Sequence, residues 1–228
     1  MKRLLLLAAL CGGCRPAESA SENSPPPEEQ GRPTPTDSAR ADALLERADR
    51  ARIQGAATAP VWLVEVSDFE CPFCKQWHDE TYPAIRREFI VPGHVRMAYV
   101  NFPLQRHVHA LPTAEAAMCA GAQDKFWPMH DALFATQAHW TPLADGSAMF
   151  DSLARVIGVD VPAWRDCLRS KVMQRLIGAD RARGETAGAT STPFFFVGDE
   201  VIRGAAPIEV FRASISRARA KVAARARP

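Results

Sequence analysis

Cys71 and Cys74 stand three positions apart in the run Glu65-Val66-Ser67-Asp68-Phe69-Glu70-Cys71-Pro72-Phe73-Cys74-Lys75. A Cys-x-x-Cys pair can open and close a disulfide, provided that one sulfur is held as thiolate and can be reached. The apolar run before it has the pattern of a strand, and the segment after it that of a helix. At such a junction the unpaired N–H groups of the first helical turn and the positive end of the helix dipole converge on the first sulfur. Pro72 suits the first helical position, where its missing N–H has no partner to lose. Cys74 lies one turn further in, on the same helix face but deeper, placed to resolve a mixed disulfide formed at Cys71. Stabilising the Cys71 thiolate makes the disulfide more oxidising, and each pKa unit corresponds to about 1.4 kcal/mol, or roughly 30 mV. Phe73 adds neither charge nor hydrogen-bond donor between the two sulfurs.

A second segment belongs with the first. Thr190-Ser191-Thr192-Pro193-Phe194-Phe195-Phe196-Val197-Gly198 has the form of a strand entered through a proline. Glu65 falls inside the strand that leads to Cys71. Its carboxylate either points beneath the cysteines, where it exchanges a proton with Cys74, or is a solvated glutamate at a sheet edge.

The elements that must position these residues can be outlined. Strands are predicted over residues 61–67 and 95–102, and a helix starts at Cys71 or Pro72 and is divided at Pro83. Residues 110–188 read as helical throughout, with breaks at Gly121, Thr141-Pro142, Gly158 and Val161-Pro162. Two short strands, 194–197 and 201–202, flank the turn Gly198-Asp199, and Pro207 opens a last helix. A helical block that cannot continue the sheet must form a subdomain beside it. Upstream, residues 39–54 read as a short amphipathic helix, and the folded domain is expected to begin near Ala57.

With 228 residues, 47% of them hydrophobic, the chain can bury one full core but is short for two domains. A net charge of +2 with no basic stripe among aromatics argues against nucleic acid. The arginines near the C-terminus read as the solvated face of the last helix. At the other end, Lys2 and Arg3 precede an apolar run over residues 4–10. That run is far shorter than the roughly 20 residues a membrane span requires, so residues 1–13 are read as a signal peptide. Cys14, preceded by Gly12 and Gly13, is the candidate lipidated first residue; the alternative is a secreted chain cut after Ser19. Residues 14–56 then comprise a Pro-, Glu- and Ser-rich tether and the short helix. Either route leads to the cell envelope, outside the cytoplasm, where disulfides persist. Cys119 and Cys167 are an even pair in that setting and are expected to bond to each other, the alternatives being two buried free thiols or a second redox role. No metal site is expected, since His78 and the Cys-x-x-Cys pair make only half of a zinc site and no second motif completes it.

The runs Ser67-Asp68-Phe69-Glu70-Cys71-Pro72-Phe73-Cys74 and Thr192-Pro193-Phe194-Phe195-Phe196-Val197-Gly198 resemble the DsbA-type disulfide oxidoreductases of the thioredoxin superfamily. His107, Ala110, the stretch Ala116 to Ala120, Lys125-Phe126-Trp127 and His130-Asp131-Ala132-Leu133-Phe134 resemble that family's helical insertion. The resemblance implies an α/β thioredoxin-like fold over residues 57–228, with an all-helical insertion at about 108–188. It implies a cis Pro193 against the disulfide, with Thr192 offering backbone to a substrate chain, and it favours a buried Glu65. Phe73 and Thr192 depart from the best-known member, which has histidine and valine there, and Phe73 points to a less oxidising site than histidine gives. The function implied is that of an exported, lipid-anchored, monomeric dithiol oxidase with no organic cofactor. It would act on reduced or misbonded exported proteins and be reoxidised by a quinone-linked membrane partner. Two rivals remain open: a reductase or isomerase on the same fold, and a tethered binding or chaperone module, or metal carrier, in which Cys71–Cys74 is merely structural.

Overall fold

The computed structural model describes residues 35–225. The signal segment and Cys14 lie outside the described residues. A five-stranded mixed sheet runs in the order β1-β3-β2-β4-β5. The central strand is β2 (Val61–Ser67), parallel to β3 (Val95–Asn101) and antiparallel to β4 (Phe194–Val197). The β5 strand (Glu200–Arg203) closes a hairpin on β4, and the two-residue β1 (Ile53–Gln54) pairs with β3 at the other edge. Strand alternation places Leu63, Glu65 and Ser67 on one face of β2, and the register sets Glu65 between Tyr99 and Phe195.

That face is covered by α2 (Pro72–Glu80), the short α3 (Tyr82–Ile85), a π turn over Arg86–Ile90, and α10 (Ile208–Arg225). Trp77, Tyr82, Ile85, Phe211 and Ile215 pack there on Leu63, Met97, Phe195 and Val197. The predicted helical block is α4 (Ala110–Gly121), α5 (Phe126–Ala135), α6 (Gln137–Trp140), α7 (Ser147–Val156), α8 (Val161–Ser170) and α9 (Gln174–Thr186). Its own core holds Phe126, Phe134, Trp140 and Trp164, and Phe69, Cys71, Cys74 and Tyr99 reach into the same cluster. The two tryptophans are satisfied internally, Trp140 Nε1 donating to Leu133 O and Trp164 Nε1 to Ala116 O, each at 3.0 Å. The thiols therefore sit at the seam between sheet and helical block.

The divisions at Gly121, Thr141, Gly158 and Val161 coincide with helix ends. A further break, where Lys171 adopts φ 56° between α8 and α9, has no glycine or proline to announce it. The start of the folded body also differs from the expected one near Ala57. Helix α1 (Pro35–Ala51) buries Leu45 and Ala48 in the core of the helical block. The chain then enters the sheet as β1 and turns at Gly55, with φ 95°, where a Cβ would lie 2.5 Å from Val95 O. Arg52, buried next to this turn, pairs with the fully buried Asp180 of α9, which also accepts from Asn101 N (3.1 Å) and Nδ2 (2.9 Å). Apolar spacing alone concealed these long-range partners.

Cys119 of α4 and Cys167 of α8 form a disulfide across 48 residues. The chain-entropy estimate for a loop of that length is about 4 kcal/mol. Replacing both cysteines by alanine is expected to lower the unfolding free energy by that order in a urea titration. An unchanged midpoint would show that the helices are held by packing alone.

Candidate functional site

The end of β2 runs through a tight bridge into α2. Cys71 N donates to Asp68 O at 3.1 Å, and Cys71 occupies the helix N-cap with φ −70° and ψ 122°, followed by Pro72. The bridge is held from two sides. The buried Asp68 carboxylate accepts from Glu70 N (2.8 Å), Leu104 N (2.9 Å) and His107 Nδ1 (2.7 Å), while Gln137 Nε2 of α6 donates to Phe69 O (2.6 Å) and Cys71 O (3.2 Å). Asp68 and Gln137 were not singled out from the sequence. A lone Gln in a helix carries no local signal, and the Asp68 carboxylate draws two of its three donors from the 104–107 segment.

The distant proline arrives where it was expected. The Thr192–Pro193 peptide is cis, and the Cys71 thiol donates to Thr192 O at 3.4 Å. Both cysteines are free thiols. Their environments push them apart. Cys71 falls from 9.0 to about 6, first because the Cys74 thiol donates to it, with Thr192 and the N–H groups of Cys74 and Phe73 adding to this against the cost of burial. Cys74, enclosed at 0% exposure, is raised well above 9.0 by burial and then by its Cys71 neighbour.

One expectation fails. Cys71 was expected to be open to solvent, yet it is 1% exposed. The Thr192–Pro193 turn lies on the sulfur, and both residues of that turn are buried. Phe73 beside it is 60% exposed, so the cover is thin on that side. Exchange at Cys71 thus requires a local displacement at this rim, a small opening of the kind that surface segments undergo readily.

Glu65 lies on the face of β2 that α2 covers. It is 0% exposed on the central strand, which removes the solvated-edge alternative. Burial raises it from 4.5 to about 8, against smaller opposing effects of Ser67 and His78. Neither carboxylate oxygen has a hydrogen-bond partner, nor do Ser67 Oγ and Tyr99 Oη. Thr192 Oγ1 is also buried without a partner and lies close enough to Cys71 to lower its pKa. Thr192→Val is therefore expected to raise the Cys71 midpoint by about one unit, since a hydrogen bond to a charged group contributes roughly 1.5–3 kcal/mol. Thiolate absorbance at 240 nm measures this, and an unmoved midpoint would remove the hydroxyl from the account. His107 sits at the rim on Asp68, not on either sulfur. His78, His130 and Asp131 converge on the outer side of α2, a grouping the sequence hid because 52 residues separate its first two members.

A thioredoxin family model (Thioredoxin_4) matches residues 47–217 of this chain. The chain belongs to the thioredoxin family. Within it the chain is DsbA-like. It is 33% identical over 171 residues to the Na(+)/H(+) antiporter NhaA 1 of Salinispora arenicola, covering 75% of this chain and 25% of the antiporter. The chain thus spans about a quarter of that relative's length. It is 25% identical over 171 residues to disulfide bond formation protein D of Bacillus subtilis, covering 72% of this chain and 75% of that protein. The crystal structure of oxidised BdbD from Bacillus subtilis superposes with a TM-score of 0.67 at 24% identity, covering 73% of this chain and 91% of that one. In the present chain the Cys71–Cys74 pair opens α2, the Thr192–Pro193 peptide is cis, and the helical block lies between β3 and β4. Among the described residues no helix is long and apolar enough to cross a membrane.

Proposed function

We propose that this thioredoxin-family protein is an exported thiol–disulfide oxidoreductase that works as a dithiol oxidase through Cys71 and Cys74. The observation that carries the reading is the divergence of the two sulfurs: Cys71 near 6 at the helix start against the Thr192 carbonyl, Cys74 sealed and protonated beneath it. In the oxidising direction a substrate thiolate attacks Cys71 Sγ of the Cys71–Cys74 disulfide, and Cys74 departs with the bonding electrons. A buried thiolate there is costly, and Glu65, protonated below about 8, is the group that can give it a proton. A second substrate thiolate then attacks the substrate sulfur of the mixed disulfide. Cys71 leaves as thiolate, and its low pKa makes it a good leaving group. Two electrons pass from the substrate pair to the enzyme pair, and the substrate gains one disulfide.

At pH 7 a thiol near 6 rather than 9.0 stabilises the reduced form by about 1.4 kcal/mol, or roughly 30 mV. The Thr192–Pro193 turn holds the substrate backbone. Reduced or misbonded exported proteins are the substrates, and a membrane redox partner reoxidises the pair. Cys14 supplies a lipid anchor that holds the protein in the cell envelope, on its periplasmic or extracytoplasmic side, and the protein acts as a monomer without an organic cofactor. Equilibration with glutathione buffers tests the direction. An oxidase should lie well above about −200 mV, whereas a value near the −270 mV of thioredoxin would make this a reductase.

A further inference from the structure

We propose that His78 and His130, with Asp131, form a binding site for a borderline divalent transition metal such as zinc, separate from the thiols. His78 is on α2, one turn beyond Cys74, and His130 and Asp131 are on α5. Their ligand atoms all lie within 4.8 Å of one another. His78 Nε2 is 3.4 Å from Asp131 Oδ1, and His130 Nδ1 is 2.7 Å from the same oxygen. Zinc bonds of about 2.0–2.2 Å put tetrahedral neighbours roughly 3.3–3.5 Å apart. One edge of the ligand triangle already has that length. Lengthening the His130–Asp131 edge takes about 1 Å of movement by Asp131, whose side chain is 54% exposed, and closing the histidine–histidine edge takes a rotation of the His78 ring.

The rings are oriented for the task. His78 Nδ1 lies 2.9 Å from Asp79 Oδ1, so a proton held there leaves the Nε2 lone pair turned to Asp131. A carboxylate behind a ligating histidine is the usual supporting partner of such a site. The His78 ring lies between Tyr82 and Phe134, with centroids at 5.6 and 4.9 Å. His130 is 0% exposed, and its Nε2 has no hydrogen-bond partner. Its ring meets Tyr99 and Phe134 edge to face at 5.4 and 5.1 Å. His130 Nδ1 donates to the Asp131 carboxylate here, so ligation through Nδ1 moves that proton to Nε2.

A surface groove of about 520 Å³, lined by His78, Tyr82, Asp131, Arg86 and Arg87, gives an ion access and leaves room for water as fourth ligand. The donor set selects the metal. Calcium and magnesium want surplus carboxylate oxygen, which this cluster lacks. Two imidazoles and one carboxylate suit zinc, cobalt, nickel or copper.

The test uses the untagged full chain with Cys71–Cys74 oxidised and every remaining thiol blocked with iodoacetamide, so that no sulfur can hold the ion. Cobalt should give visible ligand-field bands saturating at one equivalent and displaced by zinc. Titration calorimetry should show zinc affinity weakened at least roughly 10-fold in His78→Gln and in Asp131→Asn, and unchanged in His139→Gln, which alters an exposed histidine of α6 outside the cluster. The first two substitutions are at partly exposed side chains, and far-UV circular dichroism verifies their fold. Absence of saturable binding, or equal zinc affinity in all three variants, would reduce the cluster to a hydrogen-bonded strap between α2 and α5. Because thiols are silent throughout, the outcome is independent of the redox activity.

Discussion

Cys74→Ser is expected to trap the protein in disulfide-linked adducts with its substrates. Cys71 retains a hydroxyl donor in place of the Cys74 thiol and should keep most of its thiolate character. Among the described residues no other sulfur can resolve the adduct, because Cys119 and Cys167 are bonded to each other. Resolution by an external thiol loses the advantage of a neighbour on the same helix, and effective molarities put that loss at about 10³-fold or more. Adducts that survive non-reducing electrophoresis and collapse with dithiothreitol are the expected result. Cys71→Ser should give none. Cys74→Ala should behave differently again, since it removes the donor that contributes most to the low Cys71 pKa and should return that thiol towards 9.0. If Cys74→Ser forms no adducts with disulfide-bonded or scrambled proteins, or with reduced proteins after Cys71 has been charged as its mixed disulfide with oxidised glutathione, the binding-module reading gains and the oxidoreductase reading loses its basis.

Glu65→Gln carries the second large effect, on stability and on rate together. An acid with a higher pKa in the folded chain than in the unfolded one binds more protons when folded, so it stabilises the fold at low pH. For Glu65 that contribution is complete below about 4.5 and is lost as the pH rises through about 8. The difference corresponds to roughly 5 kcal/mol across the window. Glutamine does not titrate. In the oxidised protein, where neither active-site thiol ionises, the variant should therefore lose much of the fall in stability between pH 5 and pH 8.5 that the parent shows. On the proposed mechanism the same change removes the group that protonates Cys74, and general acid–base assistance is typically worth about 10²-fold or more. Stopped-flow reduction of the disulfide by a model dithiol should slow by that order at pH 7. Urea titrations with equal pH dependence in parent and variant would mean that Glu65 is not held protonated at all.

The core of the site was legible because its signals are local. Cys71, Pro72 and Cys74 are contiguous with the strand they end and the helix they begin, and Pro193 opens a strand whose apolar run is unbroken. The helical block showed itself through periodicity, and the breaks that could be read fell at glycines and prolines, whereas the one at Lys171 carried no such residue. Glu65 was legible as an anomaly, a carboxylate within an apolar strand, but only the central position of β2 decides that it is buried. What escaped depends on chain segments meeting across long separations. Asp68 takes donors from Leu104 and His107, Gln137 reaches back to Phe69, and α1 finds its apolar seat on α4. The cover over Cys71 escaped for the same reason. The motif places the sulfur at a helix start, but the Thr192–Pro193 turn decides how much of it water can reach.

The account stands on Cys71 being an accessible thiolate at neutral pH despite that cover. Its most direct measurement is the rate of iodoacetamide alkylation of the reduced native protein from pH 4 to pH 10, with the modified residue located by mass spectrometry. The expected result is modification confined to Cys71 among the active-site pair, with a midpoint near 6. A midpoint at 8.5 or above, or no reaction until the protein is denatured, would contradict it.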